Sequence, residues 1–342
     1  MAWPEKENIR QGVASMLKVN LAVQDGEKVL VMTDPPLLEQ WRELDTNTLR
    51  PMLERSVLAR MVADLAAELM PDAEITFLSY PAVERHGAEV DTETAERMRA
   101  SHAIIAITNY SLTHTMAAEK ACEAGGRIAS MPGFLPQMFE GPMVADYGRI
   151  AEESRRMAQL LTEATTAVLT TPLGTDLTLS LEGRSGDVDI GLITPGRIDN
   201  LPAGEAFIAP LEGKSRGKVV VTPGGHASLQ EQMTIHFHTG QVSDIEGGGK
   251  FGQDLSRLLE LPESSRQTAR RNFAELGIGT NPQARSVESL LEAEKIKGTV
   301  HIAIGDNSHI GGDVSADLHQ DLVLWDPDLY LDGLLVIRGG EW

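Results

Sequence analysis

The residues most able to do chemistry crowd into the stretch Asn272 to Leu322, NFAELGIGTNPQARSVESLLEAEKIKGTVHIAIGDNSHIGGDVSADLHQDL. Glu275, Glu292, Glu294, His301, Asp306, His309, Asp317, His319 and Asp321 all fall within it. Acidic side chains and histidines at this density repel one another or lose hydration unless positive charge sits among them. A divalent cation satisfies that requirement, so the stretch is read as the main part of a metal site. One further carboxylate is expected to come from upstream.

His319-Gln320-Asp321 is the sharpest local feature. In an extended strand, residues i and i+2 project to one face, so His319 and Asp321 can hold one cation between them. His301 sits in GTVHIAIG, where Val300, Ile302 and Ile304 take one strand face and His301 and Ala303 the other. Glu275 lies in AELGIG. Glu205 follows the tight turn NLPAG at the start of the apolar run Ala206–Ala209. Two glutamates, two histidines and an aspartate suit a pair of divalent metals bridged by one carboxylate.

These donors need strands to position them. Residues 1–165 alternate helices and strands. Helical patterns cover Glu5–Ala22, Thr48–Met70, Thr115–Gly125 and Met143–Thr165; β runs are KVLVMTD, EITFLSY, HAIIAITN and RIASMPG. That grammar predicts an α/β domain with a mostly parallel sheet covered on both faces. From 166 to 342 the pattern becomes β-branched residues alternating with polar ones between glycine turns, a β-rich metal-binding domain of antiparallel strands. One helical segment, Gly252–Leu276, is expected to interrupt it.

Composition limits the alternatives. Of 342 residues, 42% are hydrophobic and 23% charged, as in a soluble globular protein. The net charge of −20 argues against nucleic acid or anionic membrane as partner, since both select Lys and Arg. No apolar run approaches ~20 residues, so no membrane-spanning helix is expected. A charged N-terminus without an apolar signal core, and a single cysteine, Cys122, point to the cytoplasm. His236 and His238 share one strand face, which reads as a solvent-facing edge strand in preference to an accessory metal pair; His226 and Ser228 lack an acid that would complete a serine-hydrolase triad.

The strings NLPAGEAFIAP, ELGIGTNP, LEAEKIKGTVHIAIGDN and HQD resemble the M29 metallo-aminopeptidases, the aminopeptidase T group, and their shorter relatives known as leucyl aminopeptidases. The resemblance covers about 198–322. It implies a dinuclear centre of Zn, Co or Mn held by Glu205, Glu275, His301, His319 and Asp321. It also implies hydrolysis of an N-terminal residue from short peptides or small amides, and a homodimer with enclosed sites. Where that family carries a catalytic tyrosine, this chain has Ser308, followed by His309, a candidate to assist catalysis beside Glu275. The same superfamily includes non-haem iron dioxygenases that open hydroxylated pyridine rings. Under that alternative His301, His319 and Asp321 supply a 2-His-1-carboxylate set for Fe(II). Those relatives keep a histidine near the GxNP turn, where ELGIGTNP offers Glu275. A third reading is a metal-binding protein without turnover.

Overall fold

The computed structural model describes residues 5–83, 85–113, 115–261 and 269–342. Helix α1 (Lys6–Ser15) runs into a π-helical turn and then strand β1 (Lys28–Thr33). Next come α2 (Gln40–Glu43), α3 (Thr46–Leu69), β2 (Glu74–Ser79), α4 (Thr92–Arg99) and β3 (Ala103–Thr108). Then α5 (Met116–Glu123), β4 (Arg127–Pro132) and α6 (Tyr147–Glu163) end the alternating part. Strands β5 (Thr166–Thr170), β6 (Asp176–Ser180), β7 (Asp187–Asp189), β8 (Ile198–Asn200) and β9 (Glu205–Ile208) follow. After β10 (Arg216–Val221), β11 (Met233–His238) and β12 (Gln241–Gly247) comes α7 (Gly249–Glu260). The chain closes with β13 (Phe273–Gly279), β14 (Val300–Gly305), β15 (His319–Leu324), β16 (Asp328–Leu331) and β17 (Leu334–Ile337).

Two compact units result. One comprises Met1–Tyr147 with Ile190–Ala203, the other Gly148–Asp189 with Gly204–Trp342. The first holds a parallel sheet of order β2-β1-β3-β4-β8. Its inner strand β3 is buried along its whole length, which is why AIIAIT reads as an unbroken apolar run rather than an alternating one. Asp45 caps α3 by accepting the backbone N–H groups of Asn47 and Thr48. Helix α4, capped by Asp91, is an element the sequence reading left without a helix.

The sequence boundary at 165 is not where these units divide. Helix α6 from Gly148 onward packs Met157, Ala158 and Leu161 into the core of the second unit. The short strand β8, read with the β-rich half, instead extends the parallel sheet beside β4. Three residues between glycine and proline turns carry no periodicity that could reveal such a partner.

The second unit contains two antiparallel sheets, of orders β12-β11-β10-β6-β5-β16-β17 and β15-β14-β13-β9-β7. One apolar cluster joins them: Leu177, Val219 and Ile235 from the first meet Ile208, Leu276, Ile302 and Leu322 from the second. The expected helix Gly252–Leu276 is a correction. It begins earlier and is helical over Gly249–Glu260, its 262–268 portion lies outside the described residues, and Phe273–Gly279 is a fully buried strand. Strand pairing on both sides of β13 outweighs the local preference that ran the expected helix on to Leu276. The C-terminal segment forms a β16–β17 hairpin at the edge of the seven-stranded sheet, with Leu334 exposed and Ile337 in the core.

Candidate metal centre

The site follows from the period of two along the strands of the five-stranded sheet. Ala206 and Ile208, Leu276 and Ile278, Ile302 and Ile304, Leu322 and Leu324 point into the core. Alternation therefore sends Glu205, Glu275, His301, His319 and Asp321 to the opposite face. Register then aligns them: Glu275 faces Ala303, which faces Asp321, while His301 faces Gly277 and Glu205 faces Gly279. The small partners leave the room. A Cβ on Gly277 would stand 2.0 Å from His301 Nε2, so the imidazole occupies the space a side chain there would fill.

Glu275 is the centre of the arrangement. Its Oε1 is 3.3 Å from His301 Nε2 and its Oε2 is 3.3 Å from His319 Nε2. His301 Nε2 lies 3.4 Å from Glu205 Oε2, and His319 Nε2 lies 3.3 Å from Asp321 Oδ1. The five residues predicted from sequence are thus brought together, as two donor groups, Glu205–Glu275–His301 and Glu275–His319–Asp321. The triad His301–His319–Asp321 does not form a group of its own, because Glu275 stands between the two imidazoles.

A divalent cation fits these donors. Two ligands about 2.1 Å from a common ion at a tetrahedral angle stand about 3.4 Å apart, the spacing seen here and longer than an ordinary hydrogen bond. Glu205 Oε2 is buried without a hydrogen-bond partner among the described residues. His319 Nδ1 donates to the Asp306 carbonyl at 2.7 Å, which leaves the Nε2 lone pair for a metal.

Protons take up the positive charge these groups require. Burial works to lower His301, but its hydrogen bond to Glu275 and the charges of Glu205, Glu275 and Glu294 push it up to about 9. Burial opposes His319 in the same way, and Asp321 and Glu275 carry it well above the ordinary imidazole value. Burial would raise Glu275, yet the two facing histidines hold it well below the usual carboxylate range.

One participant escaped sequence reasoning. Lys295 is 1% exposed, with Nζ 2.5 Å from Glu205 Oε1, 3.0 Å from Glu294 and 3.5 Å from Asp189. It fixes one oxygen of Glu205 and leaves the other facing His301. Glu294, beside it, is pushed up to about 7, chiefly by burial. A lysine within EAEKIK reads as solvated charge; only its burial reveals otherwise.

The remaining acids of the cluster serve the scaffold. Glu292 accepts the N–H groups of Arg285 and Ser286, and Asp317 pairs with Arg270 through two contacts of 2.7 Å. Asp306 receives His309 Nδ1 at 2.8 Å and Ser308 Oγ at 3.0 Å. His309 lies edge-to-face against His319, with ring centroids 5.0 Å apart. On β11, His236 pairs with Glu246 at 3.0 Å, while His238 is exposed. Cys122 is half-buried in α5. Among the described residues no helix is long and apolar enough to cross a membrane.

Known proteins share this architecture. The solved structure of 2,5-dihydroxypyridine dioxygenase from Pseudomonas putida KT2440 aligns with TM-score 0.72 and 18% identity, covering 99% of this chain and 97% of that one. Wild-type AmpT from Thermus thermophilus aligns with TM-score 0.66 and 15% identity, covering 98% and 99%. The aminopeptidase resemblance is therefore borne out as a likeness of fold. In sequence, a curated 2,5-dihydroxypyridine 5,6-dioxygenase of Pseudomonas putida KT2440 is 23% identical over 275 residues, 73% of this chain and 75% of the relative. The family model described as NicX, 2,5-dihydroxypyridine 5,6-dioxygenase, matches residues 15–342, so the second compact unit, most of the first and all five candidate donors lie within it. The fold is shared more widely, but the match along nearly the whole chain is to this family, and the chain belongs to it.

Proposed function

We propose that the protein is a metal-dependent dioxygenase that opens a hydroxylated, pyridine-like ring. The observation that carries this reading is the family match from residue 15 to the C-terminus, whose described activity is a 2,5-dihydroxypyridine 5,6-dioxygenase. The donor set supports it. Glu275, His319 and Asp321 form one group, with His319 and Asp321 partly exposed where a substrate can approach. A divalent iron held there would supply the one-electron chemistry that lets dioxygen react with a closed-shell ring. Both oxygen atoms end in the product and the ring supplies the electrons, so no external reductant is needed. The protein's own residues bind, orient and move protons. Asp306 holds His309 through Nδ1 and anchors His319 through its carbonyl, so a single residue sets both rings. To His309, held beside His319, we assign the acceptance of a substrate hydroxyl proton.

A second reading rests on one specific observation: Glu275 offers a different oxygen to each histidine and so divides the donors into two groups. That pattern suits two cations and hydrolysis of a small amide or peptide, where the pair would supply a hydroxide at neutral pH. Loading the protein anaerobically and counting metals separates the two. One iron per chain, with oxygen uptake on addition of 2,5-dihydroxypyridine, supports ring opening. Two Zn or Mn per chain, with amine release from aminoacyl amides, supports hydrolysis and sinks the first reading. Bound metal with neither activity defeats both.

A further inference from the structure

The loop between β10 and β11 places a second feature beside the ligand-bearing strand β15. Val323, two residues beyond Asp321, donates its N–H to the Gly225 carbonyl at 2.8 Å. A Cβ on Gly225 would stand 2.4 Å from the Val323 carbonyl oxygen, so glycine is what permits the approach. His226 follows immediately. Its ring stacks on Phe251 of α7, with centroids 4.2 Å apart and planes inclined by 22°. Both side chains are half-buried, so the pair is a partly open planar wall.

The tautomer of His226 is set by its neighbour. The Ser228 N–H donates to His226 Nδ1 at 3.1 Å, so in the neutral ring the proton sits on Nε2. No acceptor among the described residues takes that proton. Burial works to lower the His226 pKa, against the opposing charge of the Asp321 carboxylate. A neutral imidazole with one nitrogen satisfied and the other bearing an unclaimed proton is a fixed donor. The serine-hydrolase role fails for the same reason: it is the Ser228 backbone, not its hydroxyl, that meets this ring.

We propose that His226 is a substrate-positioning residue, its Nε2–H donating to an oxygen substituent of a planar hydroxylated ring that packs along the His226–Phe251 stack beside Asp321. The assignment rests on the ring-opening reading. It gives that reading a recognition element distinct from the metal donors, and it explains the glycine at 225: a side chain there would lift the donor away from β15.

The test is an anaerobic binding titration of the iron-loaded protein with 2,5-dihydroxypyridine, comparing wild type, His226→Phe and His226→Gln, with metal content and steady-state kinetics measured on each. Phe keeps a stackable ring and removes the donor; Gln restores an N–H donor without the ring. For His226→Phe, Kd and KM should rise about tenfold, the upper range for losing one hydrogen bond to a neutral group, while kcat changes less than about twofold. His226→Gln should recover much of the binding, and both variants should keep full metal. If wild type binds the compound and His226→Phe binds it equally well, the assignment alone falls. Loss of metal in His226→Phe also overturns it, since the residue would then belong to the centre itself. Absence of binding by wild type removes the ring-opening reading and the assignment with it.

Discussion

Glu275 carries the most weight among the individual side chains, because each of its oxygens faces a different histidine at 3.3 Å. Glu275→Gln preserves shape and removes the charge that counters both imidazoles. Metal content should fall below one per chain with the sheet intact, as followed by elemental analysis and circular dichroism; full retention would remove Glu275 from the centre. A second prediction concerns protons. His301 is pushed up to about 9, above the roughly 6.5 of an unfolded imidazole. In the metal-free protein its protonation stabilises the fold fully below about 6.5, and that contribution is lost as pH rises through about 9. A metal must displace the same proton, so metal affinity should climb over that window. Thermal unfolding of metal-free and metal-loaded samples from pH 6 to 9.5 should show the gap between them widening. A gap that narrows would contradict the assignment.

At the scale of elements, the centre depends on how closely β13 and β14 approach. Gly277 pairs with His301, and an added Cβ would fall 2.0 Å from Nε2. Gly277→Ala should therefore displace the imidazole and cost at least tenfold in metal affinity, measured by competition with a chelator. Unchanged affinity would show that His301 is not a ligand. Asp45 tests a distant element. It caps the 24-residue helix α3 through two backbone N–H groups, and Asp45→Ala should lower the denaturant midpoint of unfolding without altering metal content.

For the whole molecule, the two units each carry their own apolar cluster, one around Leu30, Ile104 and Ile128, the other around Leu177, Ile302 and Leu322. All five donors belong to the second unit. Ligand binding to a folded state stabilises only what must unfold to release it. Calorimetry should resolve two transitions, of which one moves upward on addition of metal and downward with chelator. A single transition shifting as a whole would show that the units unfold together.

What the sequence by itself determined was local. The period of two in VHIAIG and the spacing of His319 and Asp321 assign donors to strand faces, because side-chain direction in a strand depends on neighbours one and two residues away. The parallel-sheet grammar of the first half is equally local, and five candidate ligands could be named from residue type and strand face. Tertiary structure decided what depends on pairing over long separations. Lys295 meets Glu205 across 90 positions, and β8 joins β4 across about seventy, with no signal in either segment alone. The same holds for β13, which local sequence runs on from the preceding helix until strands on both sides claim its backbone. It also holds for the place of Glu275 between two histidines, which cross-strand register fixes and no interval along the chain records.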